Sequence, residues 1–217
     1  MFALGCVSNA QQSVKDLLQR NPGNPLWPAW VSQTSVGNSV VGEDSVRKIV
    51  YFVTSSLDGF IARPNGAIDW LIQAEGNEDF GFSQFINSID TVIQGRHTYE
   101  HVLSLGPYPY ANQKNYVFSR KLLQCQHAEI VRQPVADFVR WLRIQPGKDI
   151  WLVGGGQLAA AFLEAGAIDE LKVFIQPILL GEGIPLAGYI GRDTRLTVKH
   201  SHAFRQGLVQ IDFEVRK

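Results

Sequence analysis

Three consecutive glycines, Gly154, Gly155 and Gly156, separate an apolar run, DIWLV, from an alanine-rich stretch, QLAAAFLEAG. Glycine lets a backbone approach a ligand closely, and the amides that open a helix present the positive end of its dipole. Such a turn suits a phosphate; it also suits a plain strand-to-helix connection, and the local sequence leaves both readings open. Histidines offer another chemistry. His97 and His101 stand at i, i+4, and His200 and His202 alternate along a strand-like run, so either pair can present two imidazoles on one face. No third ligand accompanies them, and no metal is expected.

Gly154, Gly156 and Ala159 also satisfy G-x-G-x-x-A, the fingerprint of a Rossmann dinucleotide site. That fingerprint normally opens the first strand–helix–strand unit and is followed by an acidic residue at the end of the next strand. In this chain most of the patterned sequence comes first, and Asp169 and Glu170 precede the next strand candidate. A Rossmann domain is therefore disfavoured. The chain has neither a Walker motif nor a G-x-S-x-G elbow, which removes P-loop NTPases and the common hydrolase arrangement.

The elements that must hold these residues are legible from Arg47 onward. RKIVYFVTSS, DTVIQG, KNYVFS, AEIV and DIWLVGG are short β-branched or apolar runs, and EDFGFSQFINSI, RHTYEHVLSL, PVADFVRWLRI and GQLAAAFLEAG carry helical periodicity. Gly166 closes the last of these as a C-terminal glycine. Alternating strands and helices imply an α/β domain with a mainly parallel sheet covered on both faces. Three further segments, DELKVFIQPILLGEGIPL, RLTVKHSHAF and LVQIDFEVRK, follow without an intervening helix, and the last two predict a hairpin across RQG. They add antiparallel strands to a mixed sheet.

Residues 1–46 form an N-terminal extension of different style, with three prolines close together and Trp27 and Trp30 beside them. Those tryptophans suit packing against the domain or a partner subunit; an untranslated upstream segment assigned to the open reading frame is the alternative. Of 217 residues, 20 are basic and 20 acidic, so the field gives no reason to expect nucleic acid as partner. Two cysteines, Cys6 and Cys125, make no secreted disulfide framework and suit a reducing, cytoplasmic setting. No apolar run approaches the roughly 18 residues needed to span a bilayer, so no membrane role is expected. A small-molecule substrate is.

Taken in order, TSSLDGFIA, GAIDWL, IQGRHTYE, YVFSR, LVGGGQLAAAFLEAGAIDEL and LGEGIPL resemble the dihydrofolate-reductase-like superfamily. The likeness is strongest to stand-alone proteins similar to the C-terminal reductase domain of riboflavin biosynthesis enzymes, and it covers residues 47–217. It implies a dihydrofolate-reductase-like fold, an oxidoreductase activity and NADPH as cofactor. Gly95, Arg96, His97 and Thr98 match the family's G-R-x-T turn beside the pyrophosphate, with Arg96 near the adenosine phosphate. Ser119 and Arg120 match a second position facing that phosphate, and two arginines there favour NADPH over NADH. Val153, Gly154, Gly155, Gly156, Gln157 and Leu158 match the glycine triplet with its flanks, whose first Gly-Gly bond is typically cis. Ile61 and Ala62 are implied to lie near the nicotinamide, on a loop whose glycines, Gly59 and Gly66, permit closure.

The same resemblance offers acids for the proton that accompanies hydride transfer. Asp58 matches the aspartate of riboflavin-type reductases, although Asp-Gly also favours a tight turn. Counting from Trp70, a substrate-side residue, brings Glu75 to the place of the pterin-gripping acid; Asp69 is a third candidate. Glu182 in LGEGIPL falls on the substrate side, where Gly181 and Gly183 serve equally as turn glycines. A phosphoribosylamino-uracil is the substrate most favoured, dihydrofolate or another pterin the alternative, and a non-catalytic nucleotide-binding module a third reading. Fused riboflavin enzymes add a zinc deaminase with H-x-E and P-C-x-x-C; P-C-x-x-C does not occur, so no deaminase activity is expected. A homodimer is implied by the resemblance alone.

Overall fold

A computed structural model describes residues 46–72 and 78–217. The extension with Trp27 and Trp30, and Glu75, lie outside the described residues.

Among the described residues ten strands and four helices follow one another, alternating over the first part of the domain as the patterns predict. β1 (Ile49–Ser56), β3 (Ile89–Gly95), β4 (Lys114–Phe118), β5 (Glu129–Val131), β6 (Asp149–Gly154) and β7 (Glu170–Gln176) run parallel, and β9 (Leu196–Ala203) and β10 (Val209–Val215) are antiparallel. The sheet order is β5-β4-β3-β6-β1-β7-β10-β9. Of the three final segments the first, β7, is parallel to β1, so the antiparallel character begins only with the hairpin. That hairpin turns at Phe204–Leu208, where Gly207 takes φ 86°. β2 (Phe60–Ala62) and β8 (Ile184–Pro185) form a separate two-stranded ribbon.

Alternation along the buried strands sends side chains to two unlike cores. Tyr51, Val53, Ile93, Ile150 and Leu152 pack under α3 (Val135–Arg143) and α4 (Gly156–Glu164). Phe52, Val92, Trp151 and Phe174 face the other way, under α1 (Phe82–Ser88) and α2 (Arg96–Ser104). The second core is aromatic: Phe52 stacks on Phe85 at 4.3 Å, and Trp151 meets Phe85 and Tyr110 edge-on at 5.4 and 5.2 Å. Trp151 Nε1 donates to the Phe52 carbonyl (3.0 Å), so the buried indole is paired.

α1 is shorter than its pattern. Phe80 and Gly81 take φ 53° and 78°, which bars a right-handed helix before Phe82. α4 ends as expected, with Gly166 at φ 61° and the amides of Gly166 and Ala167 donating back to Leu163 and Phe162.

Strand order decides where a ligand can sit. β3 and β6 are neighbours, yet β3 leads through α2 to β4 on one side and β6 through α4 past β1 to β7 on the other. α2 and α4 leave for opposite faces of the sheet, so a crevice opens between them at the carboxyl ends of the strands.

Candidate active site

The crevice is built from backbone. Gly95 and Gly155 are the N-caps of α2 and α4, both extended, and neither helix start has a side-chain cap. Two sets of helix-opening amides therefore stand side by side with their dipoles converging. The Gly154–Gly155 peptide is cis. A β-carbon added at Gly95 would sit 3.6 Å from the Gly154 carbonyl and 3.9 Å from Leu158 Cβ; one at Gly155 would meet Thr98 Oγ1 at 3.6 Å and Ile61 Cδ1 at 3.8 Å. Gly95, Thr98, Gly155, Leu158 and Ile61 thus come together although up to about a hundred positions separate them in the chain.

The third glycine has a different job. A β-carbon on Gly156 would overlap the Pro185 carbonyl oxygen, and the Gly188 amide donates to the Gly156 carbonyl at 2.9 Å. Its bareness serves packing against residues 185–188, not approach by a ligand. Val153 is in the aromatic core, so only its main chain can face the crevice. Gln157 is exposed beside Gly188, and Leu158 is half-buried.

Basic residues rim the crevice. Arg96 donates from Nη1 to Glu100 (2.9 and 3.0 Å), and its Nη2 lies 2.8 Å from His97 Nε2. An anion arriving there competes with Glu100. Ser119, at the end of β4, uses its hydroxyl to accept the amides of Lys121 and Leu122 (3.1 and 2.9 Å), while Arg120 is exposed on the adjoining rim. Among the described residues no group of three or more His, Cys, Asp or Glu side chains is placed to hold a metal ion.

β2 and β8 bring the loop SLDGFIA and the segment LGEGIPL together as a clasp. Phe60 pairs with Pro185 and Ala62 with Ile184, and a β-carbon on Gly183 would overlap the Ala62 carbonyl, so that glycine is required by the pairing. Ile61 and Ala62 are buried, and Tyr51 donates to the Leu186 carbonyl at 2.7 Å. Burial pushes the Tyr51 hydroxyl far above its usual range, so it remains a donor. Sequence reasoning passed over Tyr51, a lone hydroxyl inside an apolar strand; a buried tyrosine needs a partner, and that was the available signal.

Asp58 locks the clasp. Its carboxylate accepts from Ser56 Oγ (2.6 Å), from the Gly181 amide (2.7 Å) and from the Leu180 amide (3.1 Å). The Ser56 hydroxyl first, and then those amides, hold the carboxyl below the usual aspartate range. It is an anion at neutral pH, which suits the turn-forming reading over the proton-donating one. Asp69 is paired at the surface with Arg63 (2.7 Å), whose hydrogen bond lowers it likewise. Glu182 is exposed next to Gly181, and Trp70 is buried with its indole nitrogen unpartnered.

A family model described as the RibD C-terminal domain matches residues 47–210. The chain belongs to that family. Two curated relatives from Bacillus subtilis (strain 168) are similar to nearly their full length: the uncharacterized protein YwjB, 40% identical over 165 residues (75% of this chain, 95% of YwjB), and YyaP, 34% identical over 181 residues (76% and 93%). A putative riboflavin biosynthesis protein from Shewanella sp. PV-4 superposes with a TM-score of 0.72 at 28% identity, covering 78% of this chain and 99% of that one. A Thermotoga maritima diaminohydroxyphosphoribosylaminopyrimidine deaminase/5-amino-6-(5-phosphoribosylamino)uracil reductase shares the fold, with a TM-score of 0.61 at 18% identity; 77% of this chain and 56% of that one are covered. The RibD-type domain has a dihydrofolate-reductase-like fold, and its family is one of riboflavin-biosynthesis-like reductases. Among the described residues no helix is long and apolar enough to cross a membrane.

Proposed function

We propose that this protein is an NADPH-dependent reductase of a small heterocycle of the 5-amino-6-(5-phosphoribosylamino)uracil type. The observation that carries the reading is the pair of uncapped helix starts at Gly95 and Gly155 on neighbouring strands. Their amides fit a pyrophosphate, with the Thr98 hydroxyl between them, and Arg96 and Arg120 on the rim fit a further phosphate. Ile61 and Ala62 offer a buried apolar surface to a planar ring. When bound, a reduced nicotinamide supplies a hydride.

The protein's own residues then hold donor and acceptor face to face and exclude water. The clasp does this from above the crevice, fixed by Tyr51 and Asp58. Asp58, held as an anion, keeps the 180–183 turn in place and does not release the proton. On this reading the enzyme works in the cytoplasm as a homodimer.

Cofactor consumption measured with the purified chain over aminouracil ribotide, dihydrofolate and related pterins tests the reading. Turnover of the ribotide, with NADPH preferred over NADH by at least about tenfold, is expected from two arginines on one phosphate. Turnover of dihydrofolate alone would replace the substrate half, and NADPH binding without turnover on the whole panel would leave a nucleotide-binding module.

A further inference from the structure

The outer flank of the sheet carries an aromatic surface that the clasp and the two helix starts do not use. Among the described residues β5 pairs with β4 alone, and a groove of about 280 Å³ runs between it and α3, lined by Tyr116, Val131, Phe138 and Trp141. Trp141 stands edge-on to Tyr116 at 6.1 Å and tilted against Phe138 at 5.7 Å, yet it remains 42% exposed. Ile144, three residues on, is 78% exposed. Residues three apart share a helix face, so Ile144 continues the groove as one apolar patch open to water. Lys114 and Glu129 pair on its rim. Pockets that enclose a small molecule hold roughly 300–1,000 Å³, so side chains offered from a polypeptide suit this groove better than a free ligand.

The chain leading into β1 carries a matching segment. PGNPLWPAW, residues 22–30, spaces Pro22, Pro25 and Pro28 three apart, and Trp27 and Trp30 likewise. Polyproline II has three residues per turn, so this spacing predicts two indoles on one face, about 9 Å apart. Segments of that kind dock in aromatic-lined grooves, because their preformed backbone has little entropy left to lose. Prolines also lack the amides that a further sheet strand would need.

The segment can reach the groove. Val46 enters β1 at the amino edge, where the neighbouring Arg47 donates across to Thr91 Oγ1 at 2.7 Å, and Thr91 is in register with Lys114 of β4. Burial raises the Tyr116 hydroxyl, while Lys114 and Arg47 both draw it back, so the entry to β1 faces the groove's own end of the sheet. From β1 to β5 is four strand spacings, about 19 Å. Residues 31–45 span up to about 50 Å when extended. The family model begins at residue 47, so the segment stands outside the shared domain.

We propose that residues 25–30 dock in cis into the groove between β5 and α3, laying Trp27 and Trp30 on Tyr116, Phe138 and Trp141. The extension is then a strap that covers the free edge of the sheet.

Hydrogen exchange of the full chain, wild type against the double variant Trp27→Ser/Trp30→Ser, tests the strap. Peptides spanning residues 129–143 should exchange at least about threefold faster in the variant, and peptides from α4 and β9 at the same rate. The reciprocal change is Trp141→Ala, at a position exposed enough for the domain to keep its fold. It should speed chymotryptic cleavage after Trp30 at least about threefold, with no new cut within residues 47–217. Light scattering should give one mass for wild type and double variant. Equal exchange over residues 129–143 would overturn the proposal, as expected of an extension without a role. So would a change confined to another surface such as the β9–β10 hairpin, or unaltered cleavage in Trp141→Ala. A mass that falls in the double variant would overturn docking in cis and assign the groove to the extension of a second copy.

Discussion

The two ends of the parallel sheet are built in opposite ways. At the amino edge, charged side chains tie the strands together. Arg47, 6% exposed, donates to Asp90, to Thr91 Oγ1 at 2.7 Å and to the Lys148 carbonyl at 2.5 Å. Asp169 accepts from Arg143 (2.7 Å) and from the Ile49 amide (2.8 Å). Gly147, at φ 147°, turns over the first of these clusters so closely that a β-carbon would overlap the Asp90 carboxylate. At the carboxyl edge the central strands β1, β3, β6 and β7 end instead on Ser56, Gly95, Gly154 and Gln176, and the helices that follow β3 and β6 begin without side-chain caps. Polar groups already paired at one edge contribute to stability; amides left unpaired at the other are available to a ligand.

The largest effect that could break this division is at the amino edge. Arg47→Ala removes three tied partners from a buried position and should destabilise the fold by about 3 kcal/mol in denaturant unfolding, at the low end for a buried pair because Asp90 retains some solvent. NADPH affinity of the folded protein should stay within about twofold, a change of under half a kcal/mol. A large loss of affinity would mean that the edges are not separable.

Gly156→Ala tests the exception at the carboxyl edge. Its methyl meets the Pro185 carbonyl, which is main chain and cannot swing away, so about 2 kcal/mol of stability should be lost by overpacking. Cofactor affinity should fall with it, because residues 185–188 shift. Gly155→Ala sharpens the contrast. Its methyl has ordinary contacts within the protein, so unfolding should move by less than about 0.5 kcal/mol, whereas NADPH binding should weaken about tenfold, or about 1.4 kcal/mol, as the methyl enters ligand space.

The smallest effect concerns the clasp at acid pH. The folded carboxyl of Asp58 is depressed, so what it contributes is fully present above the usual aspartate range and is lost as the pH falls through the depressed value. Hydrogen exchange at the Leu180 and Gly181 amides should accelerate relative to neighbouring amides only in that acid window. Asp58→Asn should abolish the acid-dependent change.

Much of the fold was readable because it is local. Period-two and helical patterns, Gly166 and the RQG turn fixed the elements to within a few residues, since burial of one face or both leaves its mark on successive side chains. Phe80 escaped that reading: a non-glycine at positive φ has no periodic signature, and it shortened α1. β2 escaped as well, because three residues pairing with two across more than a hundred positions carry no pattern of their own. Within the candidate site, Gly95, Thr98 and Gly155 were legible from their resemblance to known turns, whereas Tyr51 was hidden inside a strand that reads as apolar.

The sequence by itself determined the order and type of the elements from Arg47 onward, the glycine turns that open two helices, and the family they belong to. Only the tertiary structure decided that β6 inserts between β3 and β1, which sets those two helix starts side by side, and that Gly156 packs while Gly155 is bare toward the crevice. The physical reason is range. Propensity and periodicity are written in neighbouring residues, but which strand lies beside which, and which carbonyl approaches which glycine, is settled by contacts between segments far apart in the chain.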